Sequence, residues 1–228
     1  MKVKFGSIVV AGRGKIGGHV ASRNRAGAYW RTKVTPVNPA TTYQQEVRNR
    51  LSGISSDWRG LTAAQRSSWN SAVADFAKTD IFGDIKNPSG FNLHQTLNNN
   101  LLICSESQIS SPPAVAAVDA FTSLSIAAST GGQTLTLTFA AAIAADHKVL
   151  VFATPAQSPG KNFVKSEYRL VDVLDDGDTS PHSAETEYIA RLGAIGAEGQ
   201  KIFVKLVQVN TGTGQQGISI SASCLIAA

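Results

Sequence analysis

The residues whose spacing most suggests chemistry are Gly12, Gly14 and Gly17, which with Arg13, Lys15 and Ile16 spell a literal G-x-G-x-x-G. In a dinucleotide site, glycines at this spacing let the backbone approach a pyrophosphate at a helix N-terminus. The context for that chemistry is missing. Gly27 and Pro36 interrupt any helical pattern downstream, and the first carboxylate in the chain is Glu46, so no acid near position 35 can hold a ribose. Lys15 also lacks the G-x-x-x-x-G-K-[ST] frame of a phosphate loop. The glycines read instead as tight turns of a β-hairpin.

Other chemistry-bearing side chains are scattered. His19, His94, His147 and His182 form no H-x-x-x-H or H-x-E pair, which argues against zinc and against a paired general base. Asp172, Asp175, Asp176 and Asp178 share a short stretch without the spacing or terminal Glu of a calcium loop, so a solvated acidic turn is expected. No G-x-S-x-G elbow is present. Cys104 and Cys224 stand in no metal-like spacing and read as two free thiols. Trp58 and Trp69 read as core residues rather than a sugar platform. No catalytic residue, cofactor or metal is expected, and the chain does not read as an enzyme.

Charge is more informative. From Met1 to Lys33 the chain carries Lys2, Lys4, Arg13, Lys15, Arg23, Arg25, Arg31 and Lys33 and no Asp or Glu. Residues 1–100 hold 14 basic and 5 acidic side chains, net +9, whereas residues 101–228 hold 7 and 11, net −4. Such a split points to two regions with different partners. Arg13, Lys15, Arg23, Arg25, Tyr29, Trp30 and Arg31 therefore form a candidate contact surface. A protein partner is expected first. Nucleic acid is secondary, with charge supplying affinity and aromatic rings stacking bases.

The elements that position these residues follow from periodicity. Residues 3–11 read as a strand, with Val3, Phe5, Ile8, Val9 and Val10. Residues 19–23 and 28–34 read as further strands, and in the last Tyr29, Arg31 and Lys33 face away from Trp30, Thr32 and Val34. Pro36 and Pro39 stop the sheet. A helix from Thr41 or Thr42 to about Ser56 puts Val47, Leu51, Ile54 and Trp58 on one face. Thr62 and Gln65 form a capping box for a second helix to about Lys78, and Phe91 to Leu102 reads as a third. Pro112-Pro113 lies in a polar hinge. Beyond it the period becomes two, with about seven strands, including one over Glu185 to Arg191. The fold class is thus α+β: a basic glycine-rich β-hairpin arm (1–40), a helical anchor region (41–104), a linker (105–115) and an all-β immunoglobulin- or fibronectin-like sandwich (116–228), with a jelly roll as the alternative. The apolar stretch near the start is too short for a signal peptide and runs into Arg13 and Lys15. No apolar run reaches the ~18 residues of a membrane span, so a cytoplasmically made, soluble protein is expected.

The series Gly14-Lys15-Ile16-Gly17-Gly18, Arg31, Pro36-Val37-Asn38-Pro39-Ala40-Thr41, Gln44 with Arg48, Trp58 with Leu61, and Arg66 with Trp69 resembles a family of small proteins of tailed bacteriophages and prophages. The resemblance covers about residues 12–102. The β-rich remainder resembles, by pattern alone, the immunoglobulin-like modules of phage surfaces. The resemblance implies a virion structural protein. A capsid-associated auxiliary, decoration or head-fibre-like role is expected, with a head–tail connector or tail ring, or a host-surface or carbohydrate-binding module, as alternatives. Its implied partners are other virion proteins, capsid or neck subunits, and further copies of itself, with no membrane. Asn38, Arg48 and Arg66 join the contact surface, since arginines form bidentate pairs with carboxylates across subunits.

Overall fold

The computed structural model describes residues 1–6, 11–24 and 26–228. It is a mixed α+β, β-rich protein, with four α-helices and 13 strands in four antiparallel sheets among the described residues. It divides into two compact units. The first comprises Met1–Asn49 with Ala77–Asn87, and the second Arg50–Phe76 with Pro88–Ala228.

In the first unit, β1 (Lys2–Val3), β2 (Gly14–Ile16), β3 (His19–Asn24) and β4 (Gly27–Thr32) form a sheet of order β1-β4-β3-β2. The glycines serve as turn residues. Gly17 has φ +55° between β2 and β3, and Gly27 has φ +112° at the start of β4, backbone that a side chain would strain. The Asn24 side chain accepts a hydrogen bond from the Ala26 N–H in that second turn. The strand expected over 3–11 is seen at Lys2–Val3, while Ile8, Val9 and Val10 lie outside the described residues. Helix α1 (Thr42–Gly60) starts in this unit and ends in the second, running past the expected stop near Ser56.

Helix α2 (Ala63–Ser71) has the expected capping box, with Thr62 accepting from the Gln65 N–H and the Gln65 side chain accepting from the Thr62 N–H. It does not reach Lys78. A 3₁₀ turn (Ala72–Ala74) ends it, and β5 (Lys78–Thr79) and β6 (Ile85–Lys86) make a hairpin instead. The Asp80 carboxylate accepts from the N–H groups of Phe82 and Asp84, and Gly83 takes φ +82°. A side chain that closes a turn this way competes with helix.

The second unit continues with α3 (Gly90–Ile103), β7 (Ser123–Ser129), β8 (Thr134–Ala140), β9 (His147–Ala153), β10 (Arg169–Leu174), β11 (His182–Ser183), α4 (Glu185–Leu192), β12 (Lys201–Asn210) and β13 (Ile220–Leu225). Two sheets form, β10-β9-β12-β13 and β11-β8-β7. Alternation places Leu135, Leu137 and Phe139 of β8 in the same core as Val149, Val151 and Ala153 of β9 and Ile202, Val204 and Leu206 of β12. Strand β9 is buried on its other face too, where Leu150 meets Cys104, Val207 and Val209. The segment 185–191 is helix, not strand. Glu185 and Glu187 suit its first turn, Arg191 its last, and Gly193 follows with φ +89°.

The compact units are not divided at 105–115. The Asn98 side chain bonds the Ile109 N–H at 2.7 Å and the Ile109 carbonyl at 3.2 Å, and Trp69 Nε1 donates to the Ser110 carbonyl at 2.9 Å. Gln215 takes the other end, donating to the Ala114 carbonyl and accepting from the Ala116 N–H. Asn100 donates to the Gly214 carbonyl at 2.7 Å. Asparagines that weaken a helix in isolation are here buried partners of backbone groups that would otherwise be unsatisfied.

Candidate assembly interface

Strand register sorts the candidate contact residues. Lys15, Val20 and Arg31 are neighbours across β2, β3 and β4, as are Ser22, Tyr29 and Lys2 across β3, β4 and β1. Lys15, Tyr29 and Arg31 therefore share one face with Lys2. The opposite face carries Trp30 opposite Ala21, Arg23 opposite Ala28, and Ile16. Arg25 lies outside the described residues. Arg13 precedes β2 and, with Arg23, lines a cleft of about 250 Å³ that also takes in Lys2, Lys4, Lys86, Asp80 and Asp84.

The acids of this cleft are engaged. Lys2 meets Asp80 at 3.3 Å, and Lys4 and Lys86 meet Asp84 at 3.0 and 3.8 Å. Lys4 also lies 5.2 Å from the centre of the Phe82 ring. Burial alone would raise the Asp80 carboxyl, but the Phe82 N–H, Lys2 and the Asp84 N–H together hold it below its ordinary range. Arg13 and Arg23 make no ion pair among the described residues.

The remaining candidates sit elsewhere. Arg48 donates to the Asn38 side chain at 2.7 Å, so the pair fastens the extended entry segment to α1 within the chain. Arg66 is exposed on α2 in the second unit. The hairpin β5–β6, which the sequence reading placed partly in a helix, adds exposed Ile81, Phe82 and Ile85 to the first unit. The spacing of Asp80, Gly83 and Asp84 was the available signal.

Apolar exposure sets this unit apart. It holds about a quarter of the described residues but nine of the fifteen exposed large apolar side chains, among them Ile16 at 62%, Val37 at 86% and Ile85 at 74%. Ala21 is the one buried apolar residue among its described residues. Its sequence carries eleven Lys and Arg against three Asp and Glu, net +8, while the second unit has ten against thirteen, net −3.

Elsewhere the titratable groups form structural clusters. His182 lies 3.4 Å from Asp172 and 3.7 Å from Asp178. Asp178 accepts from the Asp175 N–H and Asp175 from the Gly177 N–H, so the acidic turn is closed by its own carboxylates. Cys104 and Cys224 are free thiols, and burial pushes Cys104 up to about 11. Among the described residues no group of three or more His, Cys, Asp or Glu is placed to hold a metal, and no helix is long and apolar enough to cross a membrane. No protein-family profile matches the sequence, and neither a curated protein nor a solved structure matches the chain.

Proposed function

We propose that the chain is a structural component of a tailed-bacteriophage virion, an auxiliary or head-fibre-like protein that docks through its first unit on capsid or neck subunits and presents the second. The observation that carries this reading is a hydrogen-bonded four-stranded sheet with no core of its own, Ala21 being its one buried apolar side chain among the described residues. Sheets need an apolar face covered to be stable, and clustered apolar exposure is what a docking partner removes from water. A net charge of +8 favours an acidic neighbour. Arg13, Lys15, Arg23, Tyr29, Trp30 and Arg31 are the residues proposed to meet it.

For the second unit we propose an immunoglobulin/fibronectin-type sandwich. Counting its strands one to seven, the sheets pair as 1-2-5 and 4-3-6-7. That differs from the immunoglobulin constant arrangement only in the fourth strand, which pairs with the third instead of the fifth.

The reading is tested on particles of the phage that carries this chain. Purified particles are expected to contain the full chain, and to lose it when residues 1–39 are deleted. A full chain absent from the particles, or a truncated chain retained in them, overturns the proposal.

A further inference from the structure

The outer face of the sheet β10-β9-β12-β13 is fully buried along only half its length, and Phe152, Lys201, Phe203 and Lys205 on the other half are half-buried. Where Leu150, Val207 and Val209 lie, Ile103 and Cys104 at the end of α3 close it. The other half starts where Lys205 stands opposite Phe152 and runs to Lys201. Lys205 Nζ lies 4.6 Å from the centre of the Phe152 ring and 5.1 Å from that of Tyr168. Lys201 Nζ lies 4.9 Å from the Phe203 ring and 3.3 Å from the Asn162 side-chain oxygen. Lys161, Lys165 and Arg169 come from the β9–β10 connection and the start of β10, so five of the seven basic residues of 101–228 gather at this end. Its acids are Glu167, 3.6 Å from Lys161, and Glu198 in the turn before β12. Phe163 is 90% exposed, and Leu225, opposite Lys201 on β13, is 59% exposed.

The far end of the same sheet has the opposite sign. It lies about 20 Å away along the seven residues of β9. Asp146 precedes β9, Asp172 lies within β10, and Asp175, Asp176 and Asp178 follow the end of that strand at Leu174. Lys148 there is held by Glu106 at 2.8 Å, and the imidazoles of His147 and His182 lie against Asp146 and Asp172.

We propose that the basic, aromatic half-face docks on the acidic end of a second copy of this chain, head to tail. This deepens the assembly reading by naming the partner of the second unit. The ammonium groups of Lys201 and Lys205 are laid over rings before docking, so less side-chain freedom is lost when a carboxylate arrives. Phe163 and Leu225 supply apolar surface for the middle of the contact. Stacked bases fit less well, because the Phe152, Phe203 and Tyr168 rings already carry ammonium groups. The two surfaces that meet are different, so the contact is heterologous and builds a ring or a filament.

Carbodiimide joins ammonium and carboxylate groups already in contact. Applied at low salt to mixed isotope-labelled and unlabelled full-length chain, it is expected to give mixed-isotope links from Lys161 or Lys165 to Asp175 or Asp176. In sedimentation, Lys165→Glu with Arg169→Glu, and separately Asp175→Lys with Asp176→Lys, should each weaken association about tenfold or more, and the chain with all four exchanges should recover it. A chain monomeric at low salt, links confined to single copies, or a fourfold exchange that stays dissociated overturns the contact. So does a mobility shift of single-stranded DNA, abolished by the lysine and arginine reversals, in the absence of mixed-isotope links. An oligomer indifferent to all these substitutions is held elsewhere and leaves the virion reading standing. Absence of the chain from particles would remove that reading alone.

Discussion

Two four-stranded antiparallel sheets in this protein differ in almost everything but their ladders. In β10-β9-β12-β13, the strands alternate bulky aliphatic residues so that Val149, Val151, Ile202, Val204 and Leu206 are lost from solvent on one face and Leu150, Val207 and Val209 on the other. In β1-β4-β3-β2, the strands read GKI, HVASRN and GAYWRT beside a two-residue edge, and only Ala21 is buried. Backbone hydrogen bonds are worth little net against water. Covering apolar area, at ~25 cal/mol per Å², is what separates a stable sheet from one that awaits a neighbour.

Substitution tests this contrast most directly. Leu137→Ala, at a fully buried site, should cost about 2–5 kcal/mol in thermal unfolding, while Ile16→Ala should stay within ~0.5 kcal/mol for the isolated chain. Equal effects would abolish the distinction. Asn98→Leu, which strands the Ile109 N–H, should cost about 1–3 kcal/mol in denaturant and free the 105–115 segment for proteolysis.

Acid should act next, and on the second unit. His94 is packed 5.3 Å from Trp58 and 5.1 Å from Trp69, and burial pushes its imidazole below the ordinary 6.5, with Asp57 opposing only in part. The unfolded chain therefore takes up that proton first. Stability should be full above pH 6.5 and fall as pH drops below it, and His94→Leu should flatten that slope in pH-dependent denaturation. The smallest effects belong to the first unit. Asp80→Asn should speed hydrogen exchange at Phe82 and Asp84 without moving the main unfolding transition, and the same loosening should appear in the parent protein as pH falls below the ordinary carboxylate range. Thiol labelling reports on the other side. With Cys104 pushed to about 11, neutral disulfide reagents should reach it only on unfolding.

Local signals were legible in the sequence where one short stretch carries the whole cause. Thr62 with Gln65, the turns at Gly17 and Gly27, and the alternation of β8 all satisfy that condition. Residues 185–192 misled because eight residues are too few to separate helix from strand by period, although Gly193 and the charge order from Glu185 to Arg191 favoured helix. The asparagines of α3 were unreadable for a different reason. Their partners, Ile109 and Gly214, lie 11 and 114 residues away, and propensity cannot anticipate a backbone group brought in by the fold. The contact surface was legible as charge and as one strand's alternation. Its division among β2, β3 and β4 required the register, and the 78–86 hairpin was hidden by the helical pattern before it.

Gly214 has a mechanical consequence. Its φ is +70°, and a methyl group there would lie 2.3 Å from the Leu97 carbonyl oxygen, so this loop is pressed directly onto the α3 backbone. Asn100 holds its carbonyl at 2.7 Å, and Gln215 holds both sides of residue 115. A pull on β12 or β13 is therefore passed to α3 through short, buried links instead of being absorbed by a slack tether. Within the second unit the strands and the helices should yield to force together, as one stiff body.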